Sequence, residues 1–224
     1  MPVVTTEALD DIALAVELFY ARPQAGRRLR VRPEVPMDAA GFAAFCETYP
    51  EAIAELEPDG SITLMGPLTL LSNENESEPF AELKQWHRGS RLGKVFSSTA
   101  GFRLPDGSIR SPDAAWVSPE RLAALSEADY DTQAPLVPDF VIEVMSKGDK
   151  RSVAQRKMRH DWLANGVRLG WLLWPRRRRA YVYRAGEPEP EEYRDLEVSL
   201  RADPIVPGFI FDLRLLTQTG LGGG

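Results

Sequence analysis

The sequence has 224 residues, a length that favours one substantial domain over two. Hydrophobic residues make up 43% of it and charged residues 27%, as in globular proteins with a real core, and no apolar run reaches the roughly 20 residues that cross a bilayer. One cysteine excludes an intramolecular disulfide and two histidines exclude a Cys/His zinc site. Any metal must therefore be a hard cation held mainly by carboxylates, such as Mg²⁺ or Mn²⁺.

Charge is unevenly distributed along the chain, whose formal net charge is −6. Residues 147–184 contain twelve Lys and Arg against two acids, a net charge of +10 that leaves −16 for the remainder. Such segregation is typical of a phosphate-facing surface on an acidic protein, although a solvated basic helix followed by a charged hairpin tip explains it equally well. The N-terminus carries acids where a secretory signal carries bases, so we expect a cytoplasmic protein.

Hydrophobic periodicity and turn residues divide the chain into helices and strands. Helices are predicted, in chain order, over 6–22, 38–49, 72–89 (opened by a Ser/Asn cap), 119–128 and 151–165. Strands are predicted over 52–57, 61–66, 94–104, 113–117, 138–146, 168–174 and 180–185, around 205, and over 209–213. Residues 24–37 are predicted to form a connector.

Helices that precede and follow a run of strands predict an α/β or α+β domain with one central sheet. The unit 139–174 places a helix of about 15 residues between two strands, which suits a right-handed parallel crossover. The sequence contains no internal repeat and no long linker, so we expect a single folded core.

The strongest chemical signal is Glu143 in the strand PDFVIEVMS, because apolar residues flank it on both sides. Strands of this kind are normally buried on both faces. An unpaired carboxylate there costs several kcal/mol, so Glu143 needs a metal, a cleft or a salt-bridge partner. Asp139 lies on the same strand face roughly 13 Å away, too far to share one ion, and we expect it to be a strand-entry residue after Pro138.

Two further candidates are Asp113 and Lys157. Asp113 follows a proline at the entrance to the strand DAAWV, and it gains meaning if that strand lies beside the one that carries Glu143. Lys157 borders the apolar stripe of the helix 151–165. Its side chain either reaches the sheet or extends to water, and the residue pattern by itself favours water.

Glutamates in the helix 72–89 supply a fourth candidate. Glu74, Glu78 and Glu82 form one i, i+4 ridge with Glu76 off it, and a ridge of like charges is mildly destabilising unless it faces a cation. We take Glu78 as the candidate, with Glu76 and Glu82 as alternatives. A solvated acidic face explains any one of them equally well.

Several stretches together resemble the PD-(D/E)xK nuclease superfamily and, within it, the bacterial Uma-two family of restriction-endonuclease-like proteins. They are GFRLPDGSIRSPDAAWVSPERL, PDFVIEVMS, KMRHDWLANGVRLGWLLWP and DPIVPGFIFDL, preceded by the helix–hairpin stretch 36–66. The resemblance covers about residues 36–214 and implies a restriction-endonuclease-like core, with a central mixed β-sheet flanked by helices. It leaves 1–35 as an N-terminal helical extension and 215–224 as a Gly-rich tail that we expect to be disordered.

By this resemblance, Asp113 matches the acid after proline on one strand and Glu143 matches the acid on the next. The simple acid-x-lysine pattern would require a lysine where the chain has Met145. In this family the lysine is displaced onto the following helix, which here gives Lys157. Glu78 matches the helical glutamate that completes the acidic cluster.

The resemblance implies a DNA endonuclease that hydrolyses phosphodiester bonds with Mg²⁺ or Mn²⁺. Asp113, Glu143 and the carbonyl of Val144 would hold the metal, while Lys157 would orient water or stabilise charge on phosphorus. Flanking phosphates would be contacted by Lys147, Lys150, Arg151, Arg176, Arg177, Arg178 and Arg179. Since cutting two strands often takes two active sites, a homodimer is expected. The alternative is a catalytically silent copy of the fold that acts as a binding or assembly module.

Overall fold

The computed structural model describes residues 6–21 and 24–216 of the chain. Its helices, in chain order, are α1 (Thr6–Ala21), α2 (Ala39–Thr48), α3 (Leu70–Ser90), α4 (Pro119–Leu122) and α5 (Arg151–Arg156). The path of α5 continues without a break through a π-helical turn, Lys157–Trp162, and a 3-10 turn, Leu163–Asn165. None of the helices in this described part of the chain is long and apolar enough to cross a membrane. The predicted Gly-rich tail lies, from residue 217 onward, outside the described residues.

The strands are β1 (Arg28–Val31), β2 (Ile53–Leu56), β3 (Ile62–Met65), β4 (Lys94–Ser97), β5 (Phe102–Arg103), β6 (Ile109–Arg110), β7 (Ala114–Val117), β8 (Phe140–Val144), β9 (Leu169–Trp174), β10 (Arg179–Arg184), β11 (Glu191–Tyr193), β12 (Ser199–Arg201) and β13 (Ile210–Asp212). Six of them form the central sheet, in the order β11-β10-β9-β8-β7-β4. β8 and β9 run parallel and the other neighbours are antiparallel, so the predicted central mixed sheet is confirmed. The predicted parallel crossover is also confirmed, because α5 and its continuation join β8 to β9.

The central sheet is covered on both faces, as the apolar run in β8 predicts. On one face Phe140 packs in a cluster with Leu83 of α3. On the other face Val141 packs in a cluster with Trp162 of the π-helical turn. Because side chains alternate along a strand, Glu143 lies on the same face as Val141 and points toward that turn.

A second sheet, not predicted from the sequence, has the order β1-β3-β2-β6-β5. β1 lies inside the predicted connector, although its Arg-Leu-Arg-Val alternation is the pattern of a half-exposed strand. β6 follows the turn at 105–107 and pairs with β2 through Leu56 and Ile109. Three short strands, β1, β5 and β6, therefore extend the predicted hairpin β2–β3 into a five-stranded sheet.

The first two helices pack on this second sheet. Ile12 and Phe19 of α1 and Phe45 of α2 form a buried cluster with Ile62 and Leu64 of β3. The helix predicted over 6–22 is confirmed as α1, which ends at Ala21. The second predicted helix is confirmed as α2, with Asp38 as its N-cap residue.

Several predicted elements differ from the structure, among them the strand predicted over 94–104, which is divided into β4 and β5 in different sheets. α3 begins two residues earlier than predicted because its cap is Thr69, whose side chain accepts from the N–H of Ser72 at 3.1 Å. The helix predicted over 119–128 is divided into α4 and a 3-10 turn, Glu127–Asp131. The strand predicted around 205 is wrong, since Ile205 lies in the turn between β12 and β13.

Candidate active site

Asp113, which directly precedes β7, lies next to Glu143 of the neighbouring strand β8. β7 and β8 pair antiparallel with Ala114 opposite Ile142, and one step further along this register Asp113 stands opposite Glu143. The N–H of Val144 donates to Asp113 Oδ2 at 2.6 Å, which holds the carboxylate against β8. The expectation that the Asp113 strand lies beside the Glu143 strand is therefore confirmed.

The π-helical turn brings a lysine and a tryptophan onto Glu143. Lys157 Nζ lies 2.9 Å from Glu143 Oε1, and Trp162 Nε1 donates to the same oxygen at 2.8 Å. In a regular α-helix, residues five apart point about 140° away from each other, so they would not meet at one carboxylate. The wider i→i+5 turn reduces this offset. Lys157 therefore reaches the sheet, and the extension to water favoured by the residue pattern is wrong.

A further contact to Lys157 comes from the second sheet. Glu55 of β2 is only 3% exposed, and its Oε1 lies 3.2 Å from Lys157 Nζ. The N–H of Ser111 donates to Oε1 at 3.2 Å, and Arg110 Nη1 donates to the other carboxylate oxygen at 3.2 Å. Glu55 was not among the predicted residues, although the signal that singled out Glu143, a carboxylate among apolar neighbours in a strand, is also present in AIAELE.

The glutamate that α3 contributes near the strand carboxylates is Glu76 rather than Glu78. Glu76 lines the cavity that holds both strand carboxylates, and Glu78 is not among the residues that line it. The buried face of α3 includes Pro79 and Leu83. Glu76 lies three positions before Pro79 and seven before Leu83, so the helical repeat places it on the same face. Extending that face toward the N-terminus would have identified Glu76 from the sequence.

Asp113, Glu143, Lys157 and Glu76 line a cavity of about 410 Å³ between the two sheets. Its charged walls comprise Arg27, Arg28, Glu51, Glu76, Asp113, Glu143, Asp149, Lys150 and Lys157. Five of these side chains are acidic and four are basic. A cavity of this size admits a small ligand or part of a larger one.

Burial and repulsion between the carboxylates raise the pKa values of Glu76 and Asp113. Burial raises the pKa of Glu76, and the charges of Glu143 and Asp149 raise it further, to about 7. Burial and the charges of Glu76 and Glu143 also hold the pKa of Asp113 well above its ordinary value, despite the hydrogen bond from Val144. Carboxylates that repel one another in this way are stabilised by a nearby cation.

Lys157 keeps its proton in these surroundings. Burial lowers the pKa of Lys157, but the charges of Glu143 and Glu55 outweigh burial and raise the pKa above the ordinary value for lysine. Lys157 is therefore a cation at neutral pH and is not available as a base.

The cavity contains oxygen ligands suited to a metal ion, but these ligands are not preassembled into a metal site. Carboxylates are the ligands that hard divalent cations prefer, and Asp113, Glu143 and Glu76 supply three of them. Within residues 6–21 and 24–216, however, no three His, Cys, Asp or Glu side chains are arranged closely enough to hold a metal ion. The predicted ligands thus share one cavity but do not form a preassembled cluster.

A model of a known protein family matches most of the chain. The model of the Uma2 (Uma-two) family, whose description is "Putative restriction endonuclease", matches residues 40–215. The chain belongs to the Uma2 family. The family resemblance carried by the sequence motifs is therefore confirmed.

A solved structure shows the same fold as this Uma2 protein. The chain is similar to a "putative nuclease belonging to DUF820" from Anabaena variabilis ATCC 29413, with a TM-score of 0.65 and 19% sequence identity. The match covers 81% of this chain and 97% of the other, and at this identity it shows the fold alone. No curated protein matched the chain.

Asp139 has a structural role in this Uma2 chain. It is 1% exposed, and its Oδ2 accepts from the N–H of Ser118 at 2.8 Å. Its Oδ1 lies 3.3 Å from Arg121 Nε and 3.4 Å from Arg168 Nη1. These contacts tie the entrance of β8 to its neighbours, in keeping with the strand-entry residue expected there.

The basic residues expected to contact phosphates divide into two groups. The first group is exposed and forms no ion pair with any described residue; its members are Lys147, Lys150, Arg151, Arg176 and Arg177. At the tip of the β9–β10 hairpin, Arg178 pairs with Glu197 at 3.3 Å and Arg179 with Glu192 at 2.8 Å. A phosphate would have to compete with these glutamates, so the second group is less suited to contact DNA.

Proposed function

We propose that this Uma2 protein is a metal-dependent DNA endonuclease of the PD-(D/E)xK type, with Asp113, Glu143 and Lys157 as catalytic residues. The observation that carries the proposal is that all three line one cavity, where Asp113 at the entrance to β7 lies opposite Glu143 of β8 and Lys157 forms an ion pair with Glu143. The family description, "Putative restriction endonuclease", supports the same chemistry.

The side chains of the cavity fit a divalent cation. Asp113 and Glu143, with the main-chain carbonyl of Val144, offer the oxygen ligands that Mg²⁺ or Mn²⁺ prefers, and Glu76 offers another. The raised pKa values of Glu76 and Asp113 support this fit, because they reflect a concentration of negative charge that a cation relieves. A divalent cation held by these oxygens would supply Lewis-acid chemistry, which favours attack of water on the scissile phosphate.

Lys157 supplies positive charge in this proposal. Because its pKa is raised, its ammonium group stays protonated near neutral pH. It donates to the attacking water or to the negative charge that develops on the phosphate, an effect worth about 10²–10³-fold in rate when one comparable donor is removed.

Two neighbours act as positioning residues. Trp162 donates to Glu143 Oε1 at 2.8 Å and so restricts the orientation of the carboxylate. Glu55 holds Lys157 Nζ from the other side at 3.2 Å. Partners of this kind fix the orientation of groups that act on a metal or substrate.

The proposed substrate is DNA, contacted through its phosphates. The exposed basic residues available for this are Lys147, Lys150, Arg151, Arg176 and Arg177. Contacts of this type position a duplex and provide affinity without reading its sequence. Because Arg178 and Arg179 already have acidic partners, they contribute less.

Cleavage of supercoiled plasmid in Mg²⁺ or Mn²⁺ tests the proposal. Asp113→Asn and Lys157→Met are each expected to lower the rate by at least about 10²-fold. Glu78→Gln, which removes an acid of α3 outside the cavity, should leave the rate unchanged. Circular dichroism of each variant separates loss of chemistry from loss of folding.

Two outcomes of this assay contradict the proposal. Cutting that persists in both Asp113→Asn and Lys157→Met would mean that the activity belongs to a contaminant. A wild-type protein that cuts neither duplex nor single-stranded DNA with either metal would favour the catalytically silent binding module.

Metal binding has a separate readout. Mn²⁺ at about 100 times its dissociation constant stabilises a protein by about 2.7 kcal/mol. We expect this stabilisation in the wild type and its loss in Glu143→Gln. Equal stabilisation of the two proteins would mean that Mn²⁺ binds elsewhere.

A further inference from the structure

An arginine from outside the family-matched region enters the wall of the cavity. The Uma2 match begins at residue 40, whereas Arg28 lies on β1 and lines the same cavity as Asp113, Glu143 and Lys157. The second sheet makes this possible, because β1 pairs with β3 and places Arg28 opposite Met65.

The backbone around Arg28 is firmly held. Gly66 N–H donates to the carbonyl of Arg27 at 2.8 Å, and Gly26 N–H donates to the carbonyl of Pro67 at 3.0 Å. At Gly66 an added Cβ would come within 2.6 Å of the carbonyl oxygen of Gln24, so this close approach depends on the glycine. The position of Arg28 is therefore fixed by the pairing of β1 in the second sheet.

The side chain of Arg28 is exposed and forms no ion pair with a described residue. The next two arginines along the chain differ, because Arg30 Nη2 lies 2.8 Å from Asp59 Oδ1 and Arg32 Nη2 lies 3.3 Å from Asp59 Oδ2. Partial desolvation of the guanidinium at the cavity wall lowers the pKa of Arg28, but nearby carboxylates, Asp149 first among them, raise it above the ordinary value. Its guanidinium is thus a firmly charged group that is not committed to any single carboxylate.

The acids of the cavity explain how an uncommitted guanidinium could help a phosphate to bind. A DNA phosphate that approaches Asp113, Glu143 and Glu76 is repelled unless cations offset their charge. Lys157 is already shared between Glu143 and Glu55. An uncommitted guanidinium, whose planar fork matches two phosphate oxygens, suits this task better than an ammonium group.

We propose that Arg28 binds a substrate phosphate at the cavity, so that the N-terminal strand completes the nucleic-acid site of this protein. The inference rests on the proposed function in one respect, namely that the substrate is DNA. It differs from the simpler role of a counter-charge, in which Arg28 only neutralises the acids when no metal is present.

Equilibrium binding of a fluorescent duplex, measured by anisotropy in Ca²⁺ between 50 and 200 mM salt, tests the proposal. Arg28→Ala is expected to bind about tenfold more weakly than the wild type. The slope of log K against log salt should fall by about 0.9, the value for one phosphate contact on B-DNA. Arg28→Lys should keep the slope, since it keeps the charge, and lose part of the affinity. A gel of the recovered duplex verifies that it stayed intact.

Arg32→Ala is the matched control, because it removes an equal charge from the same segment at an arginine outside the cavity. We expect its affinity and salt slope to equal those of the wild type. An equal loss in Arg28→Ala and Arg32→Ala would overturn the proposal in favour of a general charge effect. Unchanged DNA binding by Arg28→Ala, with stronger Mn²⁺ stabilisation, would also overturn it and establish the counter-charge role.

The inference and the proposed function fail in different ways. A wild type that binds duplex, with the expected loss in Arg28→Ala, but does not cut in Mg²⁺ or Mn²⁺ supports the role of Arg28 and contradicts the nuclease. A wild type that cuts DNA while Arg28→Ala binds with unchanged affinity and slope contradicts only the role of Arg28. A wild type that does not bind DNA at all overturns the inference.

Discussion

Replacing Glu76 by glutamine probes the electrostatics of the site without any substrate. In the metal-free folded protein, burial and the charges of Glu143 and Asp149 raise the pKa of Glu76 from 4.5 to about 7. An acid with a raised pKa keeps its proton in the folded state over a pH range in which the unfolded chain has released it. The free energy of unfolding therefore falls as the pH rises from about 4.5 to about 7, and the whole loss is present above pH 7.

The size of the effect follows from the two pKa values. Their difference of about 2.5 corresponds to about 3 kcal/mol at 1.36 kcal/mol for each tenfold change. Glutamine resembles the protonated carboxyl group, so Glu76→Gln should be about 3 kcal/mol more stable than the wild type at pH 8 and less than about 1 kcal/mol more stable at pH 5. For a chain of this length, the difference at pH 8 is about 6–12 °C in Tm.

Thermal unfolding in EDTA at pH 5 and pH 8, followed by circular dichroism, measures this difference. Glu78→Gln is the matched control, because it removes the same charge from α3 two residues away and outside the cavity. Saturating Mn²⁺ should reduce the advantage of Glu76→Gln, since the metal stabilises the wild type more. A Glu76→Gln protein no more stable than wild type at pH 8, or a Glu78→Gln protein that gains as much, would refute the reasoning.

Three further substitutions have distinct expected results. Trp162→Phe keeps most of the buried ring but loses the hydrogen bond to Glu143, so calorimetry should show an affinity for Mn²⁺ lower by about tenfold. Asp139→Asn leaves two arginines without their buried anion and should lower the free energy of unfolding by about 3 kcal/mol in urea, while the cleavage rate of the folded protein stays unchanged. Glu55→Gln should cost about 3 kcal/mol by the same measurement and should also slow cleavage, because Lys157 loses one of its two anionic partners.

Local patterns were sufficient to predict the strand that carries Glu143. Its apolar flanks require burial on both faces, and burial of a carboxylate requires a partner, so the prediction followed from residues within one strand. The parallel crossover was predictable for a similar reason, because a helix of this length between two apolar strands allows few other arrangements. The structure agrees with both.

The partners of Glu143 were harder to predict because they come from elements that are distant along the chain. Glu55 lies 102 residues before Lys157, and nothing in either segment specifies that they meet. The choice between Glu76 and Glu78 depends on which face of α3 packs against the sheet, and a ridge of glutamates in the sequence indicates the opposite face. The strand that carries Arg28 was missed because its alternation covers only four residues, and its pairing with β3 is not evident from that short segment.

The position of the lysine on a helix makes the site depend on how that helix packs against the sheet. Two residues after Glu143 the strand has Met145, which is 4% exposed and part of the core, so β8 itself provides no lysine. Lys157 takes this place because the helix lies close to β9, where a Cβ at Gly170 would come within 2.2 Å of Met158 Sδ. The glycine permits the close approach, and the π-helical turn aims the lysine at the carboxylate. The Lys157–Glu143 pair is therefore fixed by helix-to-sheet packing, whereas in the simple acid-x-lysine pattern the spacing within one strand would set it.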